Sequence, residues 1–359
     1  MLWWKPPFTL GSKPFAPRGE TMTSADPSSR YTLLESDPHA QRASFADAVA
    51  QGLGSEPKSL PCRFFYDEAG SVLFEEICRL PEYYLTRAER EILEAHADEI
   101  VADTGACWEL VELGSGSASK TRLLIEAFLR RAGRLRYVPI DISRSALAES
   151  AQALLADYPD LEIRAIAGEY EQGLLGLHSG SDAEPRLFAW LGSNIGNFDR
   201  AEAADFLRHV REAMRARDRL LVGIDLRKDR RSLERAYDDA SGVTARFNRN
   251  LLARINRELG ARFDLEDFRH EAVWRSREGR VELSLVSRRD QEVPIPALDL
   301  VVKLRKGERI HTEDSFKYSP REIGEVAEAA GLRVVARWCD DASRFSLNLL
   351  APAADRVVD

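Results

Sequence analysis

Between residues 108 and 225, five short apolar runs recur at 108–113, 135–140, 162–167, 186–191 and 219–224. Each is apolar enough for a buried strand, and helical periodicity separates them over 119–131, 145–156 and 200–215. Strands that alternate with helices predict a mostly parallel, doubly wound α/β sheet. In such a sheet a ligand binds beyond the carboxyl ends of the strands. Those ends carry Gly114, Gly116, Asp141, Glu169, Asn194, Asn197 and Asp225, which are therefore expected around one crevice.

The first of these ends reads "VELGSGSAS", residues 111–119. Glycine lets backbone approach a ligand closely because no Cβ stands in the way. Asp141, 25 residues beyond Gly116, ends the second strand, where a carboxylate can accept both hydroxyls of a ribose. A dinucleotide fingerprint requires a third glycine where this chain has Ser119, and Lys120 does not complete a P-loop spacing. A nucleoside without a pyrophosphate fits better. S-adenosylmethionine is the expected cofactor, with its ribose on Asp141, its adenine near Glu169 and Tyr170, and its amino-acid end over Gly114 and Gly116.

Other features limit the alternatives. The chain has 359 residues and a formal net charge of -8, with no long block of like charge, which argues against a nucleic-acid partner. No apolar run approaches the ~20 residues of a membrane span. Cys62, Cys78, Cys107 and Cys339 are far apart and have no metal-ligand spacing, nor do the six histidines, so no metal is expected. Such cysteines suit a reducing cytoplasm. The first thirty residues are rich in Pro, Gly and Ser, lack the apolar segment of a secretory signal and read as a loose tail; Met22 is a possible alternative start. Residues 31–107 read as an N-terminal helical segment, with Thr86 as N-cap of a helix running to residue 100.

After "LLVGIDLRKD" the strand–helix rhythm stops. Residues 232–264 are helical and polar, and "EAVWRSREGRVELSLVSRRDQEVPI" alternates like antiparallel strands around Glu278-Gly279. Further strands are expected at 300–304 and 309–313, a helix at 320–330, and two closing strands at 332–338 and 345–350.

The runs "YDEAGSVLFEEICRLPEYYLTRAE", "ELGSGSASKT", "YVPIDIS", "LGSNIGNF", "LLVGIDLRKD", "AYDDASGVTARFNRN" and "TEDSFKYS" occur in this order between residues 45 and 351. Together they resemble the histidine N-alpha-methyltransferase family of ergothioneine biosynthesis. The resemblance implies a Rossmann-type class I methyltransferase sheet with an inserted second α+β lobe. It divides the chain into a tail (1–30), a helical segment contributing to the second lobe (31–107), the methyltransferase core (108–229), the inserted substrate lobe (230–319), a return to the core (320–352) and a short tail (353–359).

It also implies S-adenosylmethionine as cofactor and L-histidine as substrate, trimethylated on its α-amino nitrogen to hercynine by a monomeric enzyme. An N-methyltransferase acting on another small amino acid is the alternative. Gly114, Lys120, Asp141, Glu169 and Tyr170 match the family's cofactor contacts. Tyr66, Asn197 and Tyr237 match residues that hold the amino-acid end of the substrate. Tyr83 matches a contact near the imidazole, and Glu313 with Ser315 matches the pair that reads its nitrogens. The family commonly has Asp-Phe where this chain has Glu169-Tyr170, and Thr where Asn194 stands; Leu283 also occupies a position where relatives carry other apolar residues.

The residue types suit that chemistry. An amine attacking a sulfonium methyl needs orientation above all. A neutral amide and a phenol can fix a carboxylate, and aromatic rings favour a quaternary ammonium product through cation–π attraction. A carboxylate and a hydroxyl can satisfy the donor and the bare nitrogen of a neutral imidazole.

Overall fold

In the computed structural model, which describes residues 30–35, 38–105, 107–175, 177 and 185–353, the first elements are β1 (Tyr31–Glu35), α1 (Pro38–Gly54) and the two-residue β2 (Lys58–Ser59). Two helices follow, α2 (Glu68–Arg79) and α3 (Leu85–Asp103). The alternation then runs β3 (Glu109–Leu113), α4 (Thr121–Ala132), β4 (Leu135–Asp141), α5 (Arg144–Asp157), β5 (Leu161–Ala167), α6 (Tyr170–Leu175), β6 (Arg186–Trp190), α7 (Arg200–Ala213) and β7 (Arg219–Asp225). Beyond it come α8 (Arg230–Tyr237), α9 (Val243–Leu259), the hairpin β8 (Phe268–Arg275) and β9 (Arg280–Ser287), a second hairpin β10 (Gln291–Ile295) and β11 (Leu300–Leu304), and β12 (Arg309–Phe316). The unit α10 (Pro320–Ala329), β13 (Leu332–Cys339) and β14 (Phe345–Pro352) completes the fold.

The large sheet has the order β1-β5-β4-β3-β6-β7-β14-β13. Its strands are parallel as far as β7, and β14 then runs antiparallel to both β7 and β13. Alternate side chains feed two cores, because successive Cβ atoms of a strand point to opposite faces. Leu110, Tyr137, Leu187 and Leu221 belong to one core, and Val111, Val138, Phe188 and Leu220 to the other. The first core continues under a second sheet, taking in Leu283 of β9, Leu233 of α8, Phe247 and Leu251 of α9, and Val302 of the β10–β11 hairpin. The second sheet has the order β2-β12-β9-β8.

Two details differ from the sequence reading. Residues 31–35, expected within a helical segment, form an edge strand parallel to β5, with Tyr31 opposite Ile163 and Glu35 opposite Ala167. Five residues carry too little periodicity to announce such a strand. Arg30 supports it by donating to the carbonyls of Leu155, Tyr158, Pro159 and Leu161. Thr86 is not the N-cap of α3, because Tyr84 already has helical backbone angles and the helix begins at Leu85 with no side-chain cap. Residues 1–29 and 354–359, read as tails, lie outside the described residues. Among the described residues no helix is long and apolar enough to cross a membrane.

At the edge of the sheet away from the strand carboxyl ends, Asp218 holds the starts of β6 and β7 together. It accepts from the Arg186 backbone N–H at 2.8 Å, from Arg186 Nε at 3.0 Å and Nη2 at 2.8 Å, and from the Arg215 N–H at 2.9 Å. Both side chains are almost fully buried. Asp218→Ala should therefore cost about 3–5 kcal/mol, because it strands a buried guanidinium. Urea unfolding of the two proteins checks this, and a difference under about 1 kcal/mol would count against it.

Candidate active site

The turn after β3 is shaped by two left-handed glycines, Gly114 at φ 75° and Gly116 at φ 49°. A Cβ on Gly114 would lie 2.6 Å from the Tyr170 hydroxyl and 3.0 Å from Asn194 Nδ2, whereas a Cβ on Gly116 would meet nothing within 4 Å. The backbone at Gly116 is thus open to a ligand. Asp141, at the end of β4, accepts from the Gly116 N–H at 2.9 Å and from the Ser143 N–H at 2.8 Å. Burial raises its carboxyl pKa, against the lowering effect of these N–H groups. Glu112, the acid of the same run, is buried on β3 and accepts from Thr121 Oγ1 at 2.6 Å and from the Tyr137 hydroxyl. Burial pushes it up to about 7.

Lys120 follows the turn, and its ammonium pairs with Glu89 of α3, which is wholly buried. Glu89 also accepts from the Gly192 N–H at 2.8 Å. A Cβ on Gly223 would fall 2.2 Å from its Oε1, so glycine is required there to admit the carboxylate. Glu169 is partly exposed, with Arg63 Nε 3.9 Å away.

A second group of side chains stands across the seam between the two sheets. Tyr66, Phe74, Tyr83, Tyr237 and Phe247 form a chain of rings. Tyr66 lies 5.5 Å from Phe74 and 5.7 Å from Phe247, Phe74 lies 6.3 Å from Tyr83, and Tyr83 lies 6.1 Å from Tyr237. Glu313 and Ser315 are two apart on β12 and so share one face, while Asp314 points the other way and meets Arg280 at 2.6 Å. A register shift between His311 and Glu313 re-aims the strand just before this pair. The Tyr237 and Ser315 hydroxyls share a hydrogen bond of 2.8 Å. Behind Tyr237, the His270 Nε2–H donates to its carbonyl at 2.7 Å, and Asn248 bonds the other ring nitrogen at 2.8 Å. Asn197 ends the short helical turn Asn194–Asn197, which packs on β12: a Cβ on Gly196 would lie 2.9 Å from the Phe316 carbonyl oxygen.

Electrostatics separate these groups. Burial pushes the Glu313 carboxyl up to about 7, partly opposed by the Lys317 ammonium. Burial likewise raises Tyr66, Tyr83 and Tyr237, which stay protonated as phenols. Glu313 adds to all three shifts, which places it within electrostatic reach of the ring cluster.

A model of the family described as "Histidine-specific methyltransferase, SAM-dependent" matches residues 45–352. The chain belongs to this family. It is 47% identical over 307 residues to histidine N-alpha-methyltransferase of Mycobacterium tuberculosis, spanning 84% of this chain and 93% of the relative. The same-named protein of Mycolicibacterium smegmatis is 47% identical over 84% of this chain and 92% of the relative. Ergothioneine biosynthesis protein 1 of Neurospora crassa is 33% identical over 82% of this chain, but only a 33% share of that longer protein is matched.

The turn fits the cofactor of a SAM-dependent family. Gly116 offers open backbone, and Asp141 sets a carboxylate beside it. Tyr170 and Asn194 are the two side chains that close over Gly114. Among the strand-end residues, the Asp225 side chain turns into the protein. It is fully buried and paired with Lys317 and Lys228. The sequence reading missed Phe74 and Phe247, although both lie in quoted motifs, because a Phe on an amphipathic helix carries no mark that separates a pocket ring from a core ring. It also missed Glu89, whose role depends on a pairing across the fold.

Glu89→Ala should leave the Lys120 ammonium without its buried partner and free the Gly192 N–H. A loss of about 3–5 kcal/mol is expected. Thermal unfolding with matched calorimetry measures it, and a melting temperature equal to that of wild type would contradict the assignment.

Proposed function

We propose that this protein transfers three methyl groups in succession from S-adenosylmethionine to the α-amino nitrogen of L-histidine, yielding hercynine for ergothioneine biosynthesis. The observation that carries the substrate reading is the pairing of Glu313 and Ser315 on one face of β12 beside the aromatic cluster. A carboxylate can take the ring N–H, and a hydroxyl can serve the bare nitrogen. Four free cysteines suit a reducing cytoplasm as its setting. The direct test is incubation with S-adenosylmethionine and each of the twenty amino acids, read by mass spectrometry; a product of +42 mass units (three CH₂, each about 14) with histidine is expected, on a site that rejects analogues by up to ~10⁴–10⁵. Comparable turnover of several amino acids would refute the reading.

On this reading Gly114, Gly116, Asp141, Glu169 and Tyr170 hold the cofactor, with Lys120 bracing the turn from below. S-adenosylmethionine supplies an electrophilic methyl group on a sulfonium. Asn197 fixes the substrate carboxylate with Tyr237 beside it, and Tyr66, as a protonated phenol, orients the amine through its oxygen. The ring of Tyr66, with Phe74 and Phe247 packed around it, faces the nitrogen as it gains methyl groups, a favourable environment worth ~0.5–2 kcal/mol for a cation, while Tyr83 lies toward the imidazole. Each transfer would form one N–C bond as the sulfonium S–CH₃ bond breaks, leaving S-adenosylhomocysteine, and the nitrogen gives up one proton per transfer, three in all from the ammonium to the betaine. With the phenols raised and Glu313 engaged by the ring, the amine proton leaves to solvent.

Asp141→Ala should weaken S-adenosylhomocysteine binding by about 10- to 100-fold, matching ~1–3 kcal/mol for a buried group deprived of its acceptor. Isothermal calorimetry reads this directly, and an unchanged Kd would remove Asp141 from the cofactor site.

The Glu313 carboxyl titrates at about 7. Its bond to the ring N–H is charge-assisted when it is ionised and weaker when it is neutral, so kcat/KM for histidine should rise with pH through about 7 and fall away below it. In Glu313→Gln that limb should disappear, leaving only the titrations of free histidine. The same shift has a stability consequence of definite sign. Between the unfolded value of 4.5 and about 7 the folded protein holds a proton that the unfolded chain has lost, so this group's contribution to stability falls as pH rises across that window. A pH–rate profile with the same acidic limb in both proteins would exclude Glu313 as its source.

A further inference from the structure

Lys317 lies one residue past β12 and is fully buried. A buried ammonium is costly unless its N–H bonds are used. Its three donors meet three oxygens: Asp225 Oδ2 at 2.8 Å, the Tyr237 hydroxyl at 2.7 Å and the Ser315 hydroxyl at 2.9 Å. An ammonium has no acceptor, so both hydroxyls accept from it. The bond between the two hydroxyls, 2.8 Å long, uses one of their two protons. With Tyr237 as the donor of that bond, both lone pairs of Ser315 are taken, one by Lys317 and one by Tyr237, and its own O–H is left for a ligand. A bare ring nitrogen at Ser315 satisfies it; a second N–H finds no acceptor there.

We infer that Lys317 is a positioning residue that sets the hydrogen-bond polarity of the substrate pocket: it fills one lone pair of Ser315 while Tyr237 donates to the other, leaving Ser315 a donor only and so selecting rings with a bare nitrogen. The inference rests on histidine being the substrate. Without Lys317 the Ser315 hydroxyl is free to turn and accept, and the pocket loses its reason to reject a ring that has only N–H. Asp225 keeps Lys228 and the Tyr84 hydroxyl as partners in that case, so its charge is not stranded.

A second consequence separates this role from simple packing. Glu313 is faced by Lys317, Asp314 and His311 from its own strand and its extension, and by Cys62, Tyr66, Tyr83 and Tyr237 from the elements packed against it. Lys317 holds the Glu313 carboxyl down against burial. Removing its charge moves the Glu313 titration to higher pH, which the loss of an apolar contact would not do.

The test uses wild type, Lys317→Met and Lys317→Gln. Substrates are L-histidine and the pyrrol-2-yl and pyrrol-3-yl analogues of alanine, which keep a ring N–H and lack the bare nitrogen. S-adenosylhomocysteine binding by calorimetry reports that the variants are folded. In Lys317→Met the preference for histidine over both analogues should fall by about tenfold or more, the scale of a charge-assisted hydrogen bond, mainly through KM. The acidic limb of kcat/KM should move to higher pH. In Lys317→Gln, whose amide donates without a charge, the limb should move while more of the preference survives. If Lys317→Met fails to bind S-adenosylhomocysteine, the glutamine variant decides by its limb and preference against wild type. A folded variant with unchanged preference and unchanged limb overturns the role of Lys317. A wild-type protein that does not methylate histidine overturns the substrate reading instead.

Discussion

The Asp225 carboxylate is where the large sheet and the second lobe are joined. It ends β7, is fully buried, and accepts from Lys317 just past β12, from Lys228 in the segment after β7, and from the Tyr84 hydroxyl at the start of α3. A buried carboxylate is tolerated only when such partners satisfy it. The attraction of the two lysines lowers its pKa despite full burial, and burial in turn depresses Lys228 to about 8. One charge therefore fixes three segments that are remote in sequence, and the substrate residues hang on those segments. Tyr83 precedes Tyr84, Glu313 and Ser315 precede Lys317, and Tyr237 ends the helix that follows Lys228.

The site lies in the seam for a reason that belongs to both lobes. The parallel sheet exposes backbone and a carboxylate at its strand ends, which suits a nucleoside. A second ligand would meet the rings of Phe74 and Phe247 and the Glu313–Ser315 pair, contributed by α2, α9 and β12. Local rules are violated there in a consistent way. Glu313 is pushed up to about 7 with only distant cations to offset burial, whereas the buried Glu89, Asp218 and Asp225 each have close partners. The weak offset at Glu313 is the kind of local departure that a binding site leaves in a fold.

The succession of strands and helices along 108–225 and the residues at the strand ends were legible in local pattern. These follow from periods of two and 3.6 and from glycines and acids at turns, which are local properties of the chain. That is why Gly114, Gly116 and Asp141 were legible before any coordinates. The motif resemblance likewise named Tyr66, Tyr83, Tyr237, Glu313 and Ser315, but as separate letters in separate runs. Only the tertiary structure decided that Tyr237 and Ser315 share a hydrogen bond over 78 residues of sequence, that Glu89 reaches Lys120 and Gly192, and that Asp225 turns inward rather than toward the crevice. It also decided that residues 31–35 pair with β5, since a five-residue strand has no meaning until an edge is available to receive it. Pairings of this kind depend on burial and on the closure of long loops, and neither is written in any local pattern of residues.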